Sequence, residues 1–89
     1  MTARRAVVAG RVQGVGFRFF AARAARDLGV RGWVRNRPDG CVETVAEGAE
    51  EAVSLYLDRL RMGPRVARVD SVVIEEVAPQ GFADFEVSG

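Results

Sequence analysis

The chain has 89 residues, 48% apolar and 28% charged, with a formal net charge of +1, which is enough for one domain (1–89) with a single modest core. No run of about 20 apolar residues is present to cross a bilayer as a helix, and Met-Thr-Ala-Arg-Arg leads into too short an apolar stretch before Arg11 for a signal peptide. The single cysteine, Cys41, has no internal disulfide partner, which fits a reducing, cytoplasmic setting; a monomer that binds no membrane is the further expectation.

Arg5 to Val12, rich in Val and Ala, predicts a first strand that runs into the glycine-punctuated turn Gln13-Gly14-Val15-Gly16. Phe17, Phe20, Ala21, Ala24, Ala25 and Leu28 then recur at helical spacing, with Gly29 as the C-terminal cap. The small alanines on that face suit close packing on a sheet. Val30 to Arg37 and Cys41 to Glu47 read as two strands joined by Pro38-Asp39-Gly40, whose turn chemistry predicts a hairpin. A second helix begins near Ala49, buries Val53, Tyr56, Leu57 and Leu60 on one face, and ends at Met62-Gly63-Pro64. Val66 to Val77 predicts a fourth strand, and Phe85 to Val87 a short fifth.

The order β-α-β-β-α-β predicts a ferredoxin-like α+β fold: one antiparallel sheet, two helices on one face, and a short C-terminal strand. Many unrelated activities use that architecture, so the fold alone assigns none.

The informative segment is Gly10-Arg11-Val12-Gln13-Gly14-Val15-Gly16-Phe17-Arg18, between a strand and a helix N-terminus. At that position several backbone N–H groups lack intrahelical acceptors and the helix dipole is positive, so an anion is stabilised. Gly14 and Gly16 allow the backbone to curl so that successive N–H groups converge. Arg18 adds a permanent charge and a donor fork suited to phosphate, at the helix end where the dipole disfavours a cation. Residues 1–40 also carry nine Arg against Asp27 and Asp39, whereas residues 41–89 carry four Arg against ten acids. On spacing and charge alone, an ordinary tight turn with a solvated Arg18 fits as well.

Other chemistries are disfavoured by specific residues. The dinucleotide-binding fingerprint needs a glycine where Phe19 stands, and the nucleotide phosphate loop needs a lysine that the chain lacks. Cys41 is followed six residues on by Glu47 rather than Arg, so it does not form a thiol-phosphatase loop and reads as a small packing or hairpin residue. With no His and only scattered carboxylates, neither a metal site nor any other cofactor is expected.

The segment Gly10 to Arg18, together with Gly32-Trp33-Val34-Arg35-Asn36, closely resembles the acylphosphatase family. Asp39-Gly40-Cys41-Val42-Glu43, Ala46-Glu47-Gly48 and Gly63-Pro64 extend the resemblance over nearly the whole chain, with Cys41 where Ser or Thr is common. The resemblance implies hydrolysis of small-molecule acyl phosphates to carboxylate and phosphate. It also implies that Gln13, Gly14, Val15, Gly16, Phe17 and Arg18 hold the phosphate, that Arg18 is catalytic, and that Asn36 positions the attacking water. Inorganic phosphate and sulfate would then compete for the loop. From pattern alone Asn36 is only a polar residue near a strand end.

Two rival readings remain at this level. The fold and the early arginines permit an RNA-binding module, but Arg31-Gly32-Trp33 is continued by Val34-Arg35-Asn36 rather than by further aromatics. An anion-handling module like that of hydrogenase-maturation proteins is the other; the expectation of a single domain favours a free-standing enzyme that binds no nucleic acid.

Overall fold

The computed structural model describes residues 1–89. Its first strand, β1 (Thr2–Arg11), alternates sides with period two: Ala6 and Val8 are fully buried on one face, while Arg5 and Val7 belong to the other. The remaining elements are α1 (Phe17–Leu28), β2 (Arg31–Asn36), β3 (Val42–Gly48), α2 (Glu50–Met62), β4 (Arg68–Glu76) and β5 (Phe85–Ser88). β1 reaches three residues further towards the N-terminus than its composition predicts, because Thr2, Ala3 and Arg4 find partners in Gly48, Glu47 and Ala46.

The sheet order is β4-β1-β3-β2-β5. The four long strands pair antiparallel, as expected of a ferredoxin-like sheet. The expectation of a wholly antiparallel sheet is corrected at its edge: β5 runs parallel to β2, with Gly32 opposite Phe85 and Arg35 opposite Ser88. The cause is the route of the chain. β4 ends at Glu76, opposite Arg4, at the end of the sheet where β2 begins. Residues 77–84 cross that end and deliver the chain to the start of β2, so β5 must run the same way. The crossing is held by the fully buried Glu47, which accepts hydrogen bonds from the N–H groups of Gln80 and Phe82 at 2.8 Å each.

Both helices cover the face formed by Ala6, Val8, Val34, Val42 and Ala46. From α1 come Phe17, Ala21, Ala22, Ala24 and Ala25, and from α2 Val53, Tyr56, Leu57 and Leu60. Tyr56 is buried with its hydroxyl 2.8 Å from Thr44 Oγ1, which lies 2.7 Å from the main-chain oxygen of Trp33. The threonine proton goes to Trp33, so the tyrosine donates to Thr44. On the other face Glu43 accepts from Arg5 Nε at 2.6 Å and Arg35 Nε at 2.8 Å, and Arg5 continues to Glu75 at 3.0 Å. A ladder of alternating charge thus covers the sheet face that the helices leave open.

β1, β2 and β5 all end at the side of the sheet opposite the 77–84 crossing. The β1–α1 loop, Asn36 and Ser88 therefore meet there.

Candidate active site

The loop after β1 turns at Gly14 (φ 74°) and Gly16 (φ 78°), while no non-glycine residue has positive φ. A Cβ at either glycine would meet nothing within 4 Å, so it is backbone conformation rather than crowding that demands glycine. Alternating signs of φ turn successive N–H groups towards one side. None of the N–H groups from Gln13 to Phe19 donates to a backbone or side-chain acceptor of the protein; the first helical bond is Phe20 N–H to Gly16 O at 3.0 Å. α1 has neither a side-chain cap nor an acidic residue in its first turn. In contrast, α2 begins with Glu50 and Glu51 and carries Arg59 and Arg61 in its last turn, as the macrodipole favours.

Arg18 sits in that uncapped first turn. Its Nη1 donates to the main-chain oxygen of Ser88 at 3.3 Å, and no Asp or Glu lies within ion-pair distance of it. The guanidinium is thus steered by the end of β5 without being neutralised.

Asn36 is the last residue of β2 and shares a face with the fully buried Val34 through the period-two alternation. That face is the helix side, so the amide meets the start of α1. A pocket of about 90 Å³ is formed there, lined by Val12, Gly14, Gly16, Phe17, Arg18, Phe19 and Asn36. Two segments that are separate in sequence therefore contribute to one small concavity.

Two of the predicted loop residues do not line this pocket. Gln13 turns its side chain to the β2–β3 hairpin, where Nε2 donates to the main-chain oxygens of Arg37 (2.7 Å) and Cys41 (2.9 Å). Val15 is half-buried against the core. Either can offer its backbone N–H, but their side chains serve the loop's own packing. Sequence reasoning missed Phe19, which is 71% exposed despite its size; its only signal was an aromatic standing off the apolar face of α1. It also missed Ser88, which acts through its main chain and leaves no side-chain signal.

The hairpin is built on Asp39, whose carboxylate accepts from Cys41 N–H at 3.0 Å and from Arg37 Nη2 at 2.9 Å. The Cys41 N–H and the Arg37 guanidinium together outweigh burial and hold Asp39 below its ordinary value. Burial, and then the neighbouring Asp39, push the Cys41 thiol up, which disfavours the thiolate a nucleophile requires. No three His, Cys, Asp or Glu side chains are grouped as metal ligands, and no helix is long and apolar enough to cross a membrane.

Comparison with known proteins identifies the family. The family model described as Acylphosphatase matches residues 4–87. An acylphosphatase of Thermus thermophilus is 50% identical over 82 residues, covering 92% of this chain and 93% of the relative. The crystal structure of acylphosphatase from Bacillus subtilis superposes with a TM-score of 0.97 at 37% identity, covering 100% of both chains. A segment of HypF from T. kodakarensis is also similar, with a TM-score of 0.87 at 37% identity, but this chain covers 12% of that protein. With a family match over residues 4–87 and relatives that are 50% identical over nearly the whole chain, the chain belongs to the acylphosphatase family.

Proposed function

We propose that the chain hydrolyses acyl phosphates by direct attack of a water held by Asn36, with the phosphoryl group seated in the Gln13–Arg18 loop. The observation that carries this reading is the shared pocket of Arg18, the uncapped loop and Asn36. The unpaired N–H groups and the guanidinium stabilise phosphoryl oxygens, where charge resides in both ground and transition states. The Asn36 amide offers a donor and an acceptor without charge, so it orients water but does not deprotonate it. The water oxygen forms the new bond to phosphorus as the bond to the acyl oxygen breaks, and the water proton passes to a phosphoryl oxygen. The leaving group is a carboxylate, whose conjugate acid has a pKa near about 4.3 by analogy with Glu. It departs as an anion without a general acid, so a site lacking His and grouped metal ligands suits this substrate and suits an alkyl phosphate ester poorly.

The same reading has the chain acting as a cytoplasmic monomer without a metal or other cofactor, nucleic acid or membrane, with inorganic phosphate and sulfate as competing anions. An RNA-stacking role is disfavoured because Arg35 already lies 5.3 Å over the Trp33 ring. The test is release of phosphate from acetyl and benzoyl phosphate, with a carbamoyl phosphate comparison for the maturation-type module. Turnover of the acyl phosphates supports the reading; binding of phosphate with no turnover of any of them contradicts it.

A further inference from the structure

Phe19 lines two concavities at once: the small pocket with Arg18 and Asn36, and a larger open groove of about 750 Å³ between α1 and β5. The groove is bounded by Phe19 and Arg26 on α1 and by Asp84, Phe85, Glu86 and Val87 on or beside β5. Phe19 and Arg26 are seven residues apart, about two helical turns, and so lie on one stripe of the helix. α1 leads away from the anion pocket, whereas β5 runs towards it and ends at Ser88, whose main-chain oxygen holds Arg18. The groove therefore has a polarity. Phe19 and Val87, which adjoins Ser88, line the groove at its pocket end. At the far end Arg26, bound through Nη2 to Phe85 O at 3.0 Å, stands beside Asp84. Glu86 is opposite Trp33 in the sheet, which places its side chain on the other face.

Resting on the acyl-phosphate reading above, we propose that the pocket end of this groove is the acyl subsite, and that Phe19 and Val87 select an uncharged, apolar acyl group of aromatic size. A phosphoryl group held by the loop has its leaving oxygen directed out of the small pocket, and Phe19 is the residue common to both spaces. A flat ring laid on Phe19 would bury apolar surface that water otherwise covers. At the far end the opposite charges of Arg26 and Asp84 stand side by side, so the groove offers an acyl chain ending in a second carboxylate no net attraction. Phe19 does not carry the fold: it is 71% exposed and lies off the buried face of α1.

The experiment compares kcat/KM for benzoyl and acetyl phosphate in the unaltered chain, in Phe19→Ala and in Val87→Ser, with the inhibition constant of inorganic phosphate measured alongside. The benzoyl-to-acetyl ratio should fall roughly tenfold in Phe19→Ala, chiefly through benzoyl KM, because a contact made equally in ground and transition state moves KM rather than kcat. Phe19→Trp should restore the ratio, and Val87→Ser should lower it in the same sense. If both substrates and phosphate inhibition weaken by the same factor, Phe19 serves only the anion pocket and the subsite is overturned. If the unaltered chain turns over neither substrate, the acyl-phosphate reading itself fails. A lost ratio with acetyl turnover present separates the two cases.

Discussion

Nε2 of Gln13 lies 2.7 Å from the main-chain oxygen of Arg37, the residue that follows Asn36. With a second bond to Cys41 O at 2.9 Å, one side-chain amide ties the β1–α1 loop to both ends of the turn that joins β2, which carries Asn36, to β3. In the proposed mechanism, Gln13 thus helps to fix the anion-binding loop relative to Asn36. Gln13→Ala should lower stability by about 1–3 kcal/mol, the net worth of two hydrogen bonds, because Arg37 O keeps its bond from Gly40 N–H and Cys41 O its bond from Arg37 N–H. Turnover should fall more than phosphate affinity does, because the loop survives while its registry with Asn36 loosens. Thermal melts and the inhibition constant of phosphate, measured beside kcat, check both parts.

In the proposed mechanism, Arg18→Gln removes the charge that faces the phosphoryl oxygens in ground and transition states alike. It should cost on the order of 3 kcal/mol or more, about two decades in kcat/KM, and weaken phosphate inhibition in parallel. Arg23→Gln, exposed on α1 beyond the pocket, is the control and should leave both quantities nearly unchanged. Kinetics of the two variants distinguish a phosphate ligand from general positive charge on the helix.

Most of the fold was legible because its signals are local. The helical recurrence of Phe17, Ala21, Ala24 and Ala25 and the turn at Pro38-Asp39-Gly40 need no tertiary information. The parallel pairing of β5 was not legible, since four residues fix no direction. It follows from where the 77–84 crossing lands and from Glu47 stapling it. In the site, Arg18 was readable as a cation misplaced at a helix N-terminus. Asn36 was not readable from pattern, because its meaning comes from the strand pairing that sets it opposite α1. Gln13 was placed in the right loop, yet its amide faces the hairpin, which no spacing rule reveals.

Acid should destabilise the fold through Glu43 and Glu47. Burial alone would raise both carboxyls. The Arg35 and Arg5 guanidiniums outweigh it for Glu43, and the N–H groups of Gln80 and Phe82 outweigh it for Glu47, so both lie below their ordinary value of 4.5. A carboxyl depressed on folding contributes stability that is fully present above its unfolded pKa and is lost as pH falls through the folded one. The melting temperature should therefore hold steady near neutral pH, well above the ordinary carboxyl value of 4.5, and fall as the pH drops below that value. Glu43→Gln should lower the melting temperature at neutral pH and flatten the acid limb. An acid limb as steep in Glu43→Gln as in the unaltered chain would assign the acid sensitivity elsewhere.

Inorganic phosphate should raise the melting temperature and inhibit competitively over the same concentration range, because a ligand of the native state alone stabilises it by mass action. Turnover should persist in excess chelator, as expected from the lack of grouped metal ligands. Calorimetric scans with and without phosphate, and activity with and without chelator, check these outcomes. The phosphate-dependent shift should disappear in Arg18→Gln.

The central claim is that Asn36 serves the chemistry while the loop serves binding, and the most direct measurement is kcat of folded Asn36→Ala beside its phosphate inhibition constant. In the proposed mechanism the amide orients water and makes no essential contact to the anion, so kcat should fall by roughly two decades or more with phosphate inhibition nearly intact. Asn36→Asp keeps the size and adds a negative charge in the pocket that contains Arg18, so it should lose anion affinity as well as turnover. If both variants fold, melt at lower temperature and keep the turnover of the unaltered chain, Asn36 is only a strand-end residue and the account of the site is wrong.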